Sequence, residues 1–197
     1  HIKLVRFIKN FGCDHLKINL GRRSPEGTSE EDLKHMATAC QELGRRIHGE
    51  GIRFGVHAHM WSQFENRHEI DFVMNNTDPK YVGFVLDTGH ITMAGMDPIE
   101  LAKKLGTRVV EFHIKDTKPE NRGGAKIRLA KMEGMTDPCF FPLGSGGVDF
   151  VRLKEYLDYI QWKGFLTVEL DTSPFRSPKE SAAITRKYIE NTLKLKV

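Results

Sequence analysis

The chain has 197 residues, 39% of them hydrophobic and 28% charged, a balance that suits one globular domain with a sizeable core and excludes disordered and collagen-like classes. Its formal charge of +4 comes from Lys and Arg scattered without a dense basic block, which argues against a nucleic-acid partner. Cys13, Cys40 and Cys139 are widely spaced with no CxxC pair, so a reducing, cytoplasmic setting is expected, and no apolar run reaches the ~20 residues of a membrane span. No signal-peptide pattern is read, and the chain opens on His1 inside a helical pattern, which places the expected N-terminus upstream.

In chain order, "HLKINL" alternates, with Leu16, Ile18 and Leu20 on one face and Lys17 and Asn19 on the other, and reads as a strand. Thr28 with Glu31 resembles a capping box, after which Leu33, Met36, Ala37, Cys40, Leu43 and Ile47 recur at helical spacing up to a stop at Gly51. "IRFGVHA" is the next strand, "EIDFVMNN" a short helix, and "YVGFVLD" a third strand. Asp97 and Pro98 start a helix that Gly106 ends. "RVVEFHI" returns to strand. Asp149 caps a helix carrying Leu153, Leu157 and Ile160, with Gly164 as its stop; "FLTVEL" is the last strand, and Ser177 with Pro178 opens a final helix with Ile184, Tyr188, Ile189 and Leu193.

Strands alternating with helices imply parallel pairing, because each helix returns the chain to the same end of the sheet. The expected fold is α/β, of the (β/α)8 TIM-barrel type, with five β/α units in one partial domain over 1–197. The span 115–148, rich in Gly, Pro and charge at the carboxyl end of a strand, is expected to form a lid. In such a barrel alternate residues face the axis and the active site forms at the carboxyl ends of the strands. If Val56, Leu86, Phe112 and Val168 pack outward on helices, then His57, Asp87, His113 and Glu169 point inward at one mouth. Two imidazoles and two carboxylates suit Mn2+, Co2+, Zn2+ or Fe2+. Taken singly each has an ordinary reading: helix cap for Asp87, loop residue for His57, interior histidine for His113, surface acid for Glu169. Their equivalent positions in four successive strands favour the joint reading. Glu111, one layer below His113, should have a buried partner, with Lys17 the expected type; His15, His35, His48 and His68 are expected on the surface or on helices.

The segments "GIRFGVHAHM", "NNTDPKYVGFVLDTGHITMAGMDP", "VVEFHIKD", "PLGSGGVDF" and "GFLTVELD" together resemble the sugar phosphate isomerase/epimerase superfamily, the xylose-isomerase-like TIM barrels, and among these most resemble the inosose (2-keto-myo-inositol) dehydratases. The resemblance runs from about residue 12 onward and implies metal ligation by His57, Asp87, His113 and Glu169, with His90 at a substrate-contacting position. It also implies eight strands where five are visible, so about 80 to 100 residues of barrel are expected beyond this chain. Keto-sugar epimerases of the superfamily carry Glu where this chain has His57, which removes one of their two opposed proton-transfer acids and favours elimination.

The function expected is thus a divalent-metal-dependent lyase of inositol and carbohydrate metabolism, dehydrating a keto-cyclitol or keto-sugar, with one Mn2+ or Co2+ (Zn2+, Fe2+ or Mg2+ as alternatives). Glu169 would be the base, with His59, His90 and Lys115 assisting; Lys17, Asn19, Trp61 and Arg122 are the expected substrate contacts. A keto-sugar isomerase or epimerase is the first alternative, a metal-dependent abasic-DNA endonuclease another, and a non-catalytic sugar-binding or subunit protein the last. The expected partner is a small keto-sugar or cyclitol, with neither nucleic acid nor membrane; assembly as a homo-oligomer stays open.

Overall fold

The computed structural model describes residues 1–124, 139–173 and 175–196. Strands β1 (His15–Asn19), β2 (Arg53–His57), β3 (Gly83–Asp87), β4 (Val109–Ile114) and β7 (Leu166–Val168) correspond to the five expected. Helices α2 (Glu30–Gly49), α3 (Arg67–Asn75), α5 (Pro98–Leu105), α6 (Phe150–Tyr159) and α7 (Pro178–Asn191) alternate with them, and α1 (Ile2–Lys9) precedes. Besides two 3-10 turns (Gly106–Arg108 and Pro119–Asn121), three short elements escaped the sequence reading: α4 (Thr88–Met93), β5 (Asp116–Thr117) and β6 (Phe140–Phe141). The chain divides into two compact units, His1–Leu86 with Leu105–Glu111, and Asp87–Lys104 with Phe112–Val197.

In the first unit β1, β2 and β3 pair in parallel, with Lys17 opposite Gly55 and Asn19 opposite His57. The alternation of β2 sends Phe54 and Val56 to one face and Gly55 and His57 to the other. Gly55 and Gly83 have a packing role: a Cβ on Gly55 would stand 2.7 Å from Val85 Cγ2 and 2.8 Å from Val110 Cγ2, and one on Gly83 would stand 2.5 Å from Val110 Cγ1. The two glycines therefore make room for valine side chains on the sheet face. Helix α2 starts one residue later than expected. Ser29, not Thr28, is its N-cap, accepting from Asp32 N–H while Asp32 accepts from Ser29 N–H; Thr28 instead lies 3.4 Å from Gln63 O. An Asp three residues after a Ser closes the box as well as the Glu that follows Thr28 at the same spacing. Leu33, Met36, Ala37, Cys40 and Ile47 are buried as the periodicity required, and Leu43 is only partly so.

Glu111 finds not Lys17 but His15, whose Nε2 lies 3.0 Å from Glu111 Oε2 while its Nδ1 lies 2.8 Å from Asp14 Oδ1. His15 is thus an interior partner and not the surface residue expected, whereas His35, His48 and His68 are exposed. Lys17 lies two residues past His15 on the same strand face, and Glu111 pairs with the nearer imidazole.

In the second unit β4 and β7 pair in parallel, Phe112 to Leu166 and Ile114 to Val168, and Glu169 N–H donates to Ile114 O, fixing the register of the residue after β7. Val168 is not buried as Val56, Leu86 and Phe112 are; it is 44% exposed, because β7 is short and among the described residues pairs with β4 alone. Helix α6 ends before Gly164: Gln161 takes the left-handed conformation at φ +52°, and Ile160 is left 38% exposed.

Of the expected lid, residues 125–138 lie outside the described residues. Its two ends pair with each other, Asp116–Thr117 running antiparallel to Phe140–Phe141. The fully buried Asp116 organises this collar: Oδ1 accepts from Thr117 and Val148 N–H, and Oδ2 from Gly144 and Gly146 N–H. Burial pushes the Asp116 carboxyl up, and the four N–H donors oppose that shift. Among the described residues no helix is long and apolar enough to cross a membrane.

Candidate metal centre and active site

Three of the four expected ligands meet in the second unit. Asp87 ends β3, His113 is the penultimate residue of β4 and Glu169 follows β7, so strand ends deliver all three. Ligand atoms of Asp87, His113 and Glu169 lie within 4.8 Å of one another. His113 Nδ1 is hydrogen-bonded to Glu169 Oε2 and lies 3.9 Å from Asp87 Oδ2. Asp87 does double duty: Oδ1 caps α4 by accepting from His90 N–H at 2.9 Å, and Oδ2 faces the cluster. The helix-cap reading of Asp87 and the ligand reading are therefore compatible, one oxygen serving each.

Lys115, two residues beyond His113, is wholly buried, with Nζ 3.3 Å from Asp87 Oδ2, 2.9 Å from Asp171 Oδ1 and 3.8 Å from Glu169 Oε1. Burial pulls the ammonium pKa down, but Asp87, Asp171 and Glu169 outweigh it and the net shift is upward. Lys115 is accordingly a fixed cation. It also donates to His90 Nε2 at 3.1 Å, which assigns the acceptor role to that nitrogen and the proton to Nδ1. Thr88 holds the Lys115 backbone from both sides, donating to its carbonyl at 2.7 Å and accepting from its N–H at 2.9 Å. Gly89 lets the aliphatic stem through: a Cβ there would stand 2.8 Å from Lys115 Cγ. Phe140, delivered by the collar, stacks edge-on against His90 at 4.8 Å and lies 4.8 Å from Lys115 Nζ.

The charges decide what the cluster can hold. Three carboxylates, Asp87, Glu169 and Asp171, face the ammonium of Lys115 among the described residues, so with neutral imidazoles these groups carry a formal charge of −2. Such an excess, mostly out of water, calls for a cation. A first-row divalent ion bonds N and O donors at about 2.0–2.2 Å, so its ligand atoms stand up to ~4.4 Å apart, close to the span observed. One imidazole with two carboxylates is an N/O set for a divalent metal. Between His90 and Asp171 the Lys115 ammonium already occupies the place of a cation. Through the His113 hydrogen bond, and against the effect of its own partial burial, the Glu169 carboxyl is lowered to about 2.

The remaining candidates are in the first unit, except Arg122. His57 is fully buried at the end of β2, its Nδ1 3.0 Å from Asn19 Oδ1. Asn19 thus orients His57, a role the sequence reading did not give it. His59 turns Nδ1 to Met60 O at 2.7 Å, its ring centroid 5.7 Å from that of His57 and 6.5 Å from that of Trp61. Lys17 lies on the same strand face as Asn19. Arg122, in the second unit, donates to Gly146 O at 3.0 Å and lies 3.5 Å from Asp149 Oδ2, so it fastens the loop ahead of α6. Sequence reasoning missed Asp171 and Thr88. Asp171 sits two residues past Glu169, on the same side under strand alternation, and that period was the available signal.

The xylose isomerase-like TIM barrel family matches residues 2–192 of the chain. An inosose dehydratase of Clostridium perfringens (strain ATCC 13124) is 32% identical over 169 residues, 85% of this chain and 57% of that protein. The chain therefore spans little more than half the length of this curated relative. Among solved structures, the IOLI protein with a binding zinc atom superposes with a TM-score of 0.75 over 98% of this chain and 67% of its own, at 18% identity. The probable 3-DHS dehydratase AsbF of Bacillus anthracis gives 0.74 over 96% and 68%, at 13% identity.

Proposed function

The chain belongs to the xylose isomerase-like TIM barrel family, and from that premise we propose that it carries the catalytic part of a divalent-metal-dependent lyase that dehydrates a keto-cyclitol or keto-sugar. The observation that carries the reading is the junction of Asp87, His113 and Glu169, short of positive charge, beside the buried Lys115–His90 pair. The inosose dehydratase relative supports the substrate class.

In this reading Asp87, His113 and Glu169 hold the metal, with His57 as fourth ligand, because the residue ending β2 follows the same alternation as Asp87 and His113. Mn2+ or Co2+ suits the mixed N/O set. When bound, the metal supplies Lewis acidity that stabilises negative charge on a ketone oxygen. Glu169 takes the proton from the carbon between ketone and departing hydroxyl. As long as His113 Nδ1 donates to Glu169 the carboxylate is a poor base, held at about 2; release of that hydrogen bond restores its basicity. His59 gives a proton to the hydroxyl at the β carbon, which leaves as water while the C–H electrons become the new double bond; His90, neutral with Nε2 turned to Lys115, can do so from Nδ1 only if Lys115 Nζ passes a proton to Nε2. Lys115 donates to His90 Nε2, holds the ring in place and steadies negative charge nearby. A dehydration needs one base and one acid, so an imidazole at position 57 costs the reaction nothing, whereas a two-base epimerisation would lose its second carboxylate.

The test incubates the metal-loaded protein with 2-keto-myo-inositol and a panel of keto-sugars. Loss of one water by mass with a new ultraviolet-absorbing enone or dione is the expected result. Stereochemical inversion at unchanged mass would replace the lyase with an epimerase, and absence of turnover across the panel would leave a binding protein.

A further inference from the structure

Among the described residues, three non-glycine residues adopt positive φ: Trp61 (+64°), Gln161 (+52°) and Lys194 (+57°). Gln161 and Lys194 follow the carboxyl ends of α6 and α7, where a left-handed residue commonly terminates a helix. Trp61 has no such excuse. It lies in the loop after β2, two residues past His59, and a bulky side chain there is strained unless the surroundings impose it.

The surroundings do impose it. Trp61 N–H donates to Glu65 Oε2 at 2.7 Å, and Trp61 O accepts from Arg23 N–H at 2.9 Å. Glu65 and Glu69 are each 2% exposed; Arg23 Nη2 reaches both Glu69 oxygens at 2.6 Å, and Arg23 Nε lies 3.4 Å from Glu65 Oε2. Glu69 also accepts from the N–H groups of Glu65 and Asn66. A buried ion cluster, costly to desolvate, thus clamps one loop residue in an unfavourable conformation, and the residue clamped is a tryptophan whose Nε1–H has no hydrogen-bond acceptor among the described residues. Its ring continues the series His57, His59, Trp61 along the loop.

We propose that Trp61 is a specificity-determining residue whose indole forms a wall for the C–H face of a neutral polyhydroxylated ring, and that Arg23, Glu65 and Glu69 are its positioning residues. The inference rests on the keto-cyclitol or keto-sugar reading above and adds the group that recognises the ring. An indole offers a flat apolar surface to ring hydrogens.

The chain has two tryptophans, so Trp162→Phe leaves Trp61 as the sole indole emitter. Titrating that metal-loaded variant with 2-keto-myo-inositol should change the Trp61 emission with the same midpoint as calorimetric binding. Trp61→Gly should raise KM about five- to ten-fold with kcat within about three-fold. Its thermal midpoint should hold or rise, because glycine accepts positive φ freely. Arg23→Met should raise KM in the same direction and shift the Trp61 emission toward that of a solvated indole. Calorimetric binding with unchanged Trp61 emission, or a Trp61→Gly protein that loses stability while KM stays put, overturns this inference and leaves the dehydratase reading intact. No binding of any keto-cyclitol or keto-sugar overturns both.

Discussion

His15 with Glu111 in the first unit and His113 with Glu169 in the second are the same two residue types, each pair joined by a hydrogen bond and largely out of solvent. Their neighbours differ. His15 spends both ring nitrogens on carboxylates, Nε2 on Glu111 and Nδ1 on Asp14, and Asp14 has Arg53 besides, so these groups carry −1 with a neutral His15 and balance when it is protonated. Around His113 the carboxylates outnumber the fixed cations: Asp87, Glu169 and Asp171 share Lys115. A closed pair stabilises the fold, whereas a pair left short of positive charge is suited to hold an ion and to exchange protons. What separates a structural histidine from a chemical one here is the local charge balance, together with a carboxylate, Glu169, that is more open to solvent than Glu111.

The largest expected break in that contrast is Lys115→Met. It removes the ammonium that the three carboxylates share among the described residues, leaving buried charge uncompensated at a cost on the order of 3–5 kcal/mol in the metal-free protein. Urea unfolding should show the loss, and added divalent metal should recover part of it; a variant as stable as the parent would mean that Lys115 does not balance the cluster. Gly89→Ala is a milder perturbation of the same cation. The new Cβ would meet the Lys115 stem at 2.8 Å, so a stability loss of about 1–3 kcal/mol is expected from overpacking, with turnover falling further than stability because Lys115 moves from His90. Unchanged turnover with unchanged stability would show that the stem has slack.

Much of this contrast was invisible in sequence for physical reasons. The strand ends at His57 and Asp87, and His113 one residue before the end of its strand, were legible, because an apolar run of period two that meets a polar residue marks where a buried wall meets solvent or a site. Asp97–Pro98 and Ser177–Pro178 were likewise legible, since capping is local chemistry. Partner choice was not: Glu111 pairs with His15 across 96 residues, and nothing local distinguishes His15 from Lys17. Helix α4 hid inside "DTGHITM" because it is too short for its periodicity to register, and β5 and β6 are two residues each. Trp61 is an expected substrate contact, but its positive φ, the feature that sets it apart, follows from Glu65, Glu69 and Arg23 acting together.

The smallest expected effect belongs to the closed pair. The hydrogen bond to Glu111 raises the His15 pKa, burial opposes it, and Asp14 adds to the rise. A folded pKa above the unfolded one gives stability that is fully present below the unfolded value of about 6.5 and fades as pH rises through the folded value. The difference in urea midpoint between the parent and His15→Gln should therefore be greatest below about pH 6.5 and shrink on the alkaline side. A difference that grew with pH would place a neutral His15 in the native pair.

The second pair is expected to hold a metal and the first none, and elemental analysis of purified His15→Ala and His113→Ala proteins beside the parent measures that directly. One divalent transition-metal ion per chain in the parent and in His15→Ala, with its loss from His113→Ala, is the predicted result. Equal metal content in all three, or none in the parent after loading with Mn2+ or Co2+, would contradict it.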